Sequence, residues 1–393
     1  MRLSRFRPAG LRDGSRFFPE LESLRGIAIV LVVLYHAEGI LRLETTGHVA
    51  GSVNPLNAYV FAGHTGVTLF FVLSAFLLSQ PFWRQLEGGR RVSVRDFGRR
   101  RALRILPLYT LAVVIATVAS ATSWQDLSKG VPALLFDPRF NGLSLFPYSV
   151  VWWSLRTEVQ FYLLLPLMPL ALGTASGRRI ALTLLVSWLI IYAALALHWI
   201  DIPRYADYRI PMQSVLGRAP AFLFGIGAAW VYRIHGSRIK LAAARSRWLT
   251  AAGADVLLWV LLLLLGSILA KVAEMGVFKA ELRYHYWHVA EAMIWSLLVL
   301  ILLLLPLRSK RLFSNPVLDG LGVISYSVYL LHFPILFFCI YPLRLAYPNL
   351  FSTWSFISVV STAALLLAIV FLSGLSYRFI EQPFLSLKRR PAA

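Results

Sequence analysis

Arg25 and His36 stand in the first apolar stretch of the chain, SLRGIAIVLVVLYHAEGI, from Ser23 to Ile40. Their spacing is about three helical turns, so the two side chains share nearly one helix face, ~16 Å apart along the axis. An ionisable side chain inside a membrane-length span costs roughly 2.5–3.5 kcal/mol on insertion scales and is a functional candidate by default. With Arg25 at one surface of a ~30 Å hydrocarbon core, His36 lies near the middle. A neutral imidazole there can take a proton from a hydroxyl, and a carboxylate can hold it in the right tautomer. The chemistry this points to is general-base catalysis within a membrane.

Other polar groups fall at a similar depth. A span entering from the opposite side near Val150 carries Glu158 roughly 12 Å inward, level with His36. Ser325, Tyr329 and His332 follow i, i+4, i+7 and form one polar stripe. His64 and Arg218 lie in the same outer half. Each could instead be a polar residue that hydrogen-bonds a neighbouring helix, and for His64, Arg218 and Ser325 both readings stay open. Glu38 sits ~200° around the helix from His36, and Arg156 and Glu158 do not face each other. Their partners must come from other spans. No G-x-S-x-G turn is present, so a serine nucleophile is not expected. His285 and His288, flanked by Glu281 and Glu291, have a spacing that permits metal ligation. Their Tyr- and Trp-rich surroundings read instead as an interfacial segment, and no metal is expected. The single cysteine, Cys339, excludes an internal disulfide and a thiolate metal cluster.

These residues need a membrane scaffold to position them, and the composition supplies one. The chain is 58% hydrophobic with a formal charge of +21, and its mean hydropathy is +0.67. About ten apolar spans are expected, near 24–41, 59–82, 105–122, 150–172, 180–198, 212–232, 249–272, 286–306, 318–341 and 354–376. The fold class is therefore an all-α, polytopic membrane helical bundle. Lys and Arg concentrate in one alternating set of connections. By the positive-inside rule that set and both termini are cytoplasmic, and the basic charge marks topology rather than nucleic-acid binding. Residues 1–17 read as a basic cytoplasmic segment, 18–387 as the membrane domain and 388–393 as a cytoplasmic tail. The N-terminus resembles a signal peptide in its arginines, but the span runs past His36 without a small-residue cleavage site and is expected to be retained. The inward segment 83–104 carries Arg99, Arg100, Arg101 and Arg104. The outward segment 123–149, rich in Pro and aromatic residues, is either a lid folded against the spans or a simple connection.

Several of these motifs together resemble the bacterial acyltransferase 3 family of integral-membrane O-acyltransferases. Arg25 and His36 match its Arg-x10-His, and GVTLFFVLSAFLLS from Gly66 matches its second-span segment. RRRALRILPLY resembles its basic approach to the third span. Trp153–Ser154–Leu155, Glu158 and Gln160–Phe161–Tyr162 match WSL-x-x-E-x-QFY. ISYSVYLLHFP (Ile324–Pro334) and SYRFIEQPF (Ser376–Phe384) match its closing motifs. Thr68, Ala75 and Val159 depart from the family pattern, which removes any expectation for those side chains.

The resemblance implies a multi-pass protein of the bacterial inner membrane that transfers an acyl group, often acetyl from acetyl-CoA, to a hydroxyl of an extracytoplasmic glycan such as O-antigen or exopolysaccharide. It implies His36 as the catalytic residue; Glu158, at the same depth by helix rise, is its expected partner. It also implies that Arg25 and the inward basic loop help with the donor. Arg25, Arg99, Arg100, Arg101 and Arg104 have the chemistry to hold the phosphates of cytosolic acyl-CoA, although the positive-inside rule alone also accounts for the loop arginines. Arg156, Arg218, Ser325, Tyr329 and His332 are expected to support the site or bind substrate. No permanently bound cofactor is expected. A small metabolite such as a macrolide is the alternative acceptor. A secondary transporter using intramembrane charges as a proton relay is the alternative from another class.

Overall fold

The computed structural model describes residues 18–42, 52–138, 140, 142–197, 211–276, 285–351 and 355–387. The terminal segments 1–17 and 388–393 and Glu281 lie outside them. The described residues contain helices and no strands. Helices of eight residues or more are numbered α1 Pro19–Arg42, α2 Thr65–Leu86, α3 Val94–Ser120, α4 Trp152–Leu164, α5 Ala175–Ala196, α6 Ala219–Arg245, α7 Ala251–Met275, α8 Trp287–Leu304, α9 Pro316–Val323, α10 Ser325–Ala346 and α11 Phe356–Ser376.

Local chemistry sets many of these ends. Pro19 opens α1, where a missing N–H costs nothing, and Glu20 and Glu22 in the first turn complement the helix dipole. Thr174, Thr250 and Ser355 cap α5, α7 and α11 by accepting the backbone N–H three residues on. Gly276 ends α7 at φ +83°, a conformation a Cβ would disfavour.

Among the described residues, eight helices are long and apolar enough to cross a membrane. They coincide with eight of the expected spans, and the other two are helical with a difference. The 150–172 span divides into α4, a 3₁₀ turn at Leu165–Leu167 and a short helix Met168–Gly173, because Pro166 and Pro169 remove backbone donors in succession. The 212–232 span becomes the 27-residue α6, whose later turns carry Arg233, Arg238, Lys240 and Arg245. The 318–341 span is also divided: α9 ends at Val323, and α10 starts at Ser325.

The chain forms two compact units. The first comprises residues 1–45, 94–156 and 316–393, and the second 46–93 and 157–315. In the first unit α1 packs on α9 and α10, and α10 packs on α11. The α1–α9 contact is backbone-close from both sides. A Cβ on Gly26 would fall 2.2 Å from the Leu318 carbonyl oxygen, and one on Gly322 would fall 2.0 Å from that of Glu22. Small residues let membrane helices approach this way, and Ser23 adds a hydrogen bond to Asp319 across the same contact.

Also in the first unit, the 123–149 segment folds back on its own helices. The Tyr109 hydroxyl donates to the Ala133 carbonyl at 2.8 Å, Phe136 stacks on Tyr109 at 4.7 Å, and Phe146 meets Phe337 edge-on at 4.8 Å.

In the second unit α2, α6 and α8 pack on one another, with α7 against α8. Gly225 brings α6 to α2, where a Cβ would lie 2.5 Å from the Val72 carbonyl oxygen. Gly225 is thus a packing position. Beyond the end of α2, Glu87 takes a two-pronged contact from Arg233, whose guanidinium holds the carboxyl below its ordinary range.

Candidate active site

Within the first unit, α1 and α10 bring two histidines together. His36 Nδ1 and His332 Nε2 are 3.0 Å apart, with ring centroids 5.0 Å apart and planes inclined by 45°. His332 is fully buried at 0% exposure, whereas His36 is half-buried. The other ring nitrogen of His332, Nδ1, lies 3.0 Å from the Val328 carbonyl oxygen one turn earlier. Phe333 stands edge-on to His36, at 5.1 Å between ring centroids and 89° between planes. Phe146 from the folded-back segment stands edge-on to Phe333, with ring centroids 6.3 Å apart.

The polar stripe on α10 divides into three tasks. His332 meets His36. The Tyr329 hydroxyl lies 2.9 Å from the Val151 carbonyl oxygen and 2.6 Å from Ser154 Oγ, which ties the WSL sequence to α10. Ser325 is 1% exposed, and its hydroxyl has no hydrogen-bond partner among the described residues.

Neighbouring positions on the same helix gather the remaining motifs. Tyr326 donates to the Ile105 carbonyl at 2.7 Å. Ser327 donates to Glu381, where the chain after α11 widens into a π-helical turn. Glu381 is buried at 2% exposure and was not singled out by spacing. Its only signal in the sequence was its place in SYRFIEQPF.

Arg25 forms an ion pair with Glu22 one turn away, at 3.6 Å. Arg104, Glu22 and Glu381 all lie within electrostatic reach of Tyr377, so this end of the first unit gathers charges of both signs. The arginine run divides by helix geometry. Arg101 and Arg104, at i and i+3 on α3, each bury a guanidinium nitrogen. Arg99 is exposed and donates to the Leu387 carbonyl at 3.2 Å, near the end of the short helix Gln382–Ser386. Arg100 is half-buried. Arg156 is buried and directs one guanidinium nitrogen toward the carbonyls of Asp137, Pro138 and Phe140, the best placed at 3.0 Å. It anchors the folded-back segment.

The second unit holds Glu158 and Arg218. Glu158 Oε1 accepts from Ser74 at 2.6 Å and from Tyr162 at 2.5 Å, which joins the Gly-Val-x-x-Phe-Phe-Val-Leu-Ser segment to the Glu-x-Gln-Phe-Tyr pattern. Arg218 lies against the ring nitrogens of His288. His288 Nδ1 is 3.0 Å from Glu291 Oε2, which also accepts from Thr68 at 3.0 Å. Arg218, His288, Glu291 and Thr68 are all buried. His285 Nε2 donates to the Gly217 carbonyl at 3.0 Å, and His64 packs edge-on against Trp287. The paired histidines therefore belong to an ion-pair network and a backbone bond. Among the described residues, no group of three or more His, Cys, Asp or Glu could hold a metal.

A membrane-helical chain with a histidine pair held between two of its helices defines a class, and comparison with known proteins gives it a family. The acyltransferase 3 model, described as an acyltransferase domain, matches residues 18–373, and the chain belongs to that family. It is 23% identical over 399 aligned positions to the peptidoglycan O-acetyltransferase OatA of Listeria monocytogenes, covering 95% of this chain and 56% of that protein. It is 24% identical to O-acetyltransferase OatA of Staphylococcus aureus, covering 94% and 57%. It is 27% identical to a putative membrane-bound transacylase, BcsY, of Komagataeibacter xylinus, covering 81% and 74%. The chain thus spans little more than half the length of the OatA relatives it matches. No solved structure matches it significantly. With its apolar helices, this family membership makes it a multi-pass bacterial membrane protein.

Proposed function

We propose that the chain is a membrane O-acyltransferase that moves an acyl group, acetyl in the first instance, from an acyl-CoA to a hydroxyl of an extracytoplasmic glycan. The observation that carries this reading is the His36–His332 pair, ~16 Å along α1 from Arg25. A deep imidazole in reach of a proton and a cation about three turns away suit a base and an anchor for an anionic donor. The names of the relatives support a glycan acceptor: the Listeria protein is a peptidoglycan O-acetyltransferase by name.

In the proposed reaction His36 removes the acceptor hydroxyl proton as the oxygen attacks the thioester carbonyl. The carbon–sulfur bond then breaks, and the proton passes to the departing CoA thiolate. Arg25, Arg101 and Arg104 are the proposed phosphate ligands, on the cytoplasmic side with both termini. Arg99 and Arg100 are secondary contributors, since Arg99 already serves the Leu387 carbonyl. Glu158 is proposed to support the proton transfer, and Arg218 to hold its own unit together.

The test is transfer of radiolabel from acetyl-CoA to a glycan acceptor by purified protein in proteoliposomes. His36→Ala is expected to lower turnover ~10²–10⁴-fold, the usual loss for a general base. If Glu158 acts with His36, the double variant with Glu158→Gln should cost hardly more than His36→Ala alone. Unchanged label transfer by a well-inserted His36→Ala protein would refute the reading.

A further inference from the structure

His332 has a partner on each ring nitrogen, and the two partners together dictate where hydrogens sit on both rings. A backbone carbonyl only accepts, so the 3.0 Å contact with Val328 requires the hydrogen on His332 Nδ1. A neutral ring then carries its lone pair on Nε2, facing His36 Nδ1 at 3.0 Å. Two lone pairs cannot bond, so His36 Nδ1 must carry a hydrogen and donate it. The lone pair of neutral His36 is then on Nε2. A cationic His332 would reverse the pattern: its Nε2–H would donate to His36 Nδ1, leaving the His36 hydrogen on Nε2 and no basic nitrogen there.

We infer that His332 is a positioning residue for acyl transfer, fixing His36 as the Nδ1–H tautomer so that Nε2 is the nitrogen that takes the acceptor proton. This rests on the general-base reading of His36 and says which nitrogen acts and what fixes it. In the step, the acceptor O–H bond breaks, its proton goes to His36 Nε2, and its oxygen bonds to the thioester carbon. The carbon–sulfur bond breaks, and the same proton leaves Nε2 for the thiolate. Throughout, His36 Nδ1–H stays bonded to His332, and that bond strengthens while His36 is cationic. The arrangement does with an imidazole and a carbonyl what a carboxylate does in hydrolytic triads.

Placement also separates the two roles. His332 is fully buried and bonded on both sides, so it is suited to hold an orientation rather than to meet substrate. His36 is half-buried and the more accessible of the two rings. A histidine that merely filled space between α1 and α10 would not require a particular tautomer of its neighbour.

The test combines spectroscopy with two substitutions. Protein labelled with 15N-histidine in lipid should show His36 with a protonated Nδ1 and an unprotonated Nε2. In His332→Leu the Nε2–H form should appear, and kcat should fall about 10²-fold or more, the scale of loss when a base is held in the wrong tautomer. Donor and acceptor KM should be unchanged. His332→Gln, whose amide oxygen can accept from His36 Nδ1–H, should recover part of kcat. Thermal melts of both variants identify any loss of fold, and the wild-type spectrum gives an answer even if both fail to fold. A wild-type His36 with its hydrogen on Nε2 overturns the inference, as does a folded His332→Leu protein with normal kcat. Full turnover by His36→Ala would instead overturn the general-base reading, whatever the spectra show.

Discussion

The first unit pairs His36 with His332, and the second pairs His288 with Arg218 and Glu291. The residue type is the same, and the neighbours differ. His332 reaches a carbonyl and an imidazole, so the cluster contains only groups that can be neutral together. His288 lies between a guanidinium and a carboxylate, with Thr68 bonded to the same carboxylate. A proton arriving at His36 meets another ring nitrogen able to share it. At His288 the neighbours are a guanidinium and a carboxyl group, both at 5% exposure or less. Taking proton chemistry into a membrane therefore depends less on the histidine than on whether its partners leave its charge adjustable.

The largest effect on stability should come from opening the second cluster. Glu291→Leu would take from the buried Arg218–His288 contact the carboxyl group that His288 and Thr68 reach, and removing one member of a buried charged cluster costs roughly 3–5 kcal/mol. The folded yield in detergent and the melting temperature should drop sharply, while turnover per folded molecule persists. A full melting temperature with lost turnover would make the second cluster chemical and erase the contrast.

A smaller loss is expected where the first cluster is framed. Gly322→Leu places side-chain atoms where α1 already meets α9, and overpacking of this kind typically costs ~1–3 kcal/mol. Because α1 carries His36, kcat should decline together with the melting temperature. A drop in melting temperature alone would show that α9 does not help place His36.

The smallest effect sharpens the account of the arginine run. Exchanging Arg101 and Arg104 for Gln should raise the acyl-CoA KM about 10-fold, the scale of one charge-assisted hydrogen bond, with acceptor KM little changed. Arg99→Gln should shift stability by no more than ~0.5 kcal/mol and raise the donor KM far less than the other two exchanges do. Equal KM changes from Arg99 and from the other two would mean that net charge, not helix face, matters.

Much of this arrangement is legible in the sequence, for identifiable reasons. The spans are readable because lipid requires long apolar helices, and Arg25 and His36 are readable because charges are rare in them. The i, i+4, i+7 stripe of Ser325, Tyr329 and His332 follows from helix periodicity alone. The partner of His36 did not follow. Depth along a span gives the level of a side chain but not the direction in which it faces a neighbouring helix, and His332 is nearly three hundred positions away in the chain. For the same reason the bonds of Glu158 to Ser74 and of Arg99 to Leu387 do not follow from spacing. The break between α9 and α10 has no proline to announce it. Arg156, expected to support the site or bind substrate, holds three carbonyls of the folded-back segment, a set of partners that local spacing does not reveal.

The contrast between the two histidine clusters is tested most directly by making the same substitution in each, His36→Gln and His288→Gln, and measuring acetyl transfer per folded molecule beside the melting temperature. The expected result is an intact fold with turnover reduced ~10²-fold or more for His36→Gln, and a lowered melting temperature with turnover per folded molecule retained for His288→Gln. The contradicting result is the reverse: a well-folded His288→Gln protein without activity, and a His36→Gln protein that transfers acetyl groups at the normal rate.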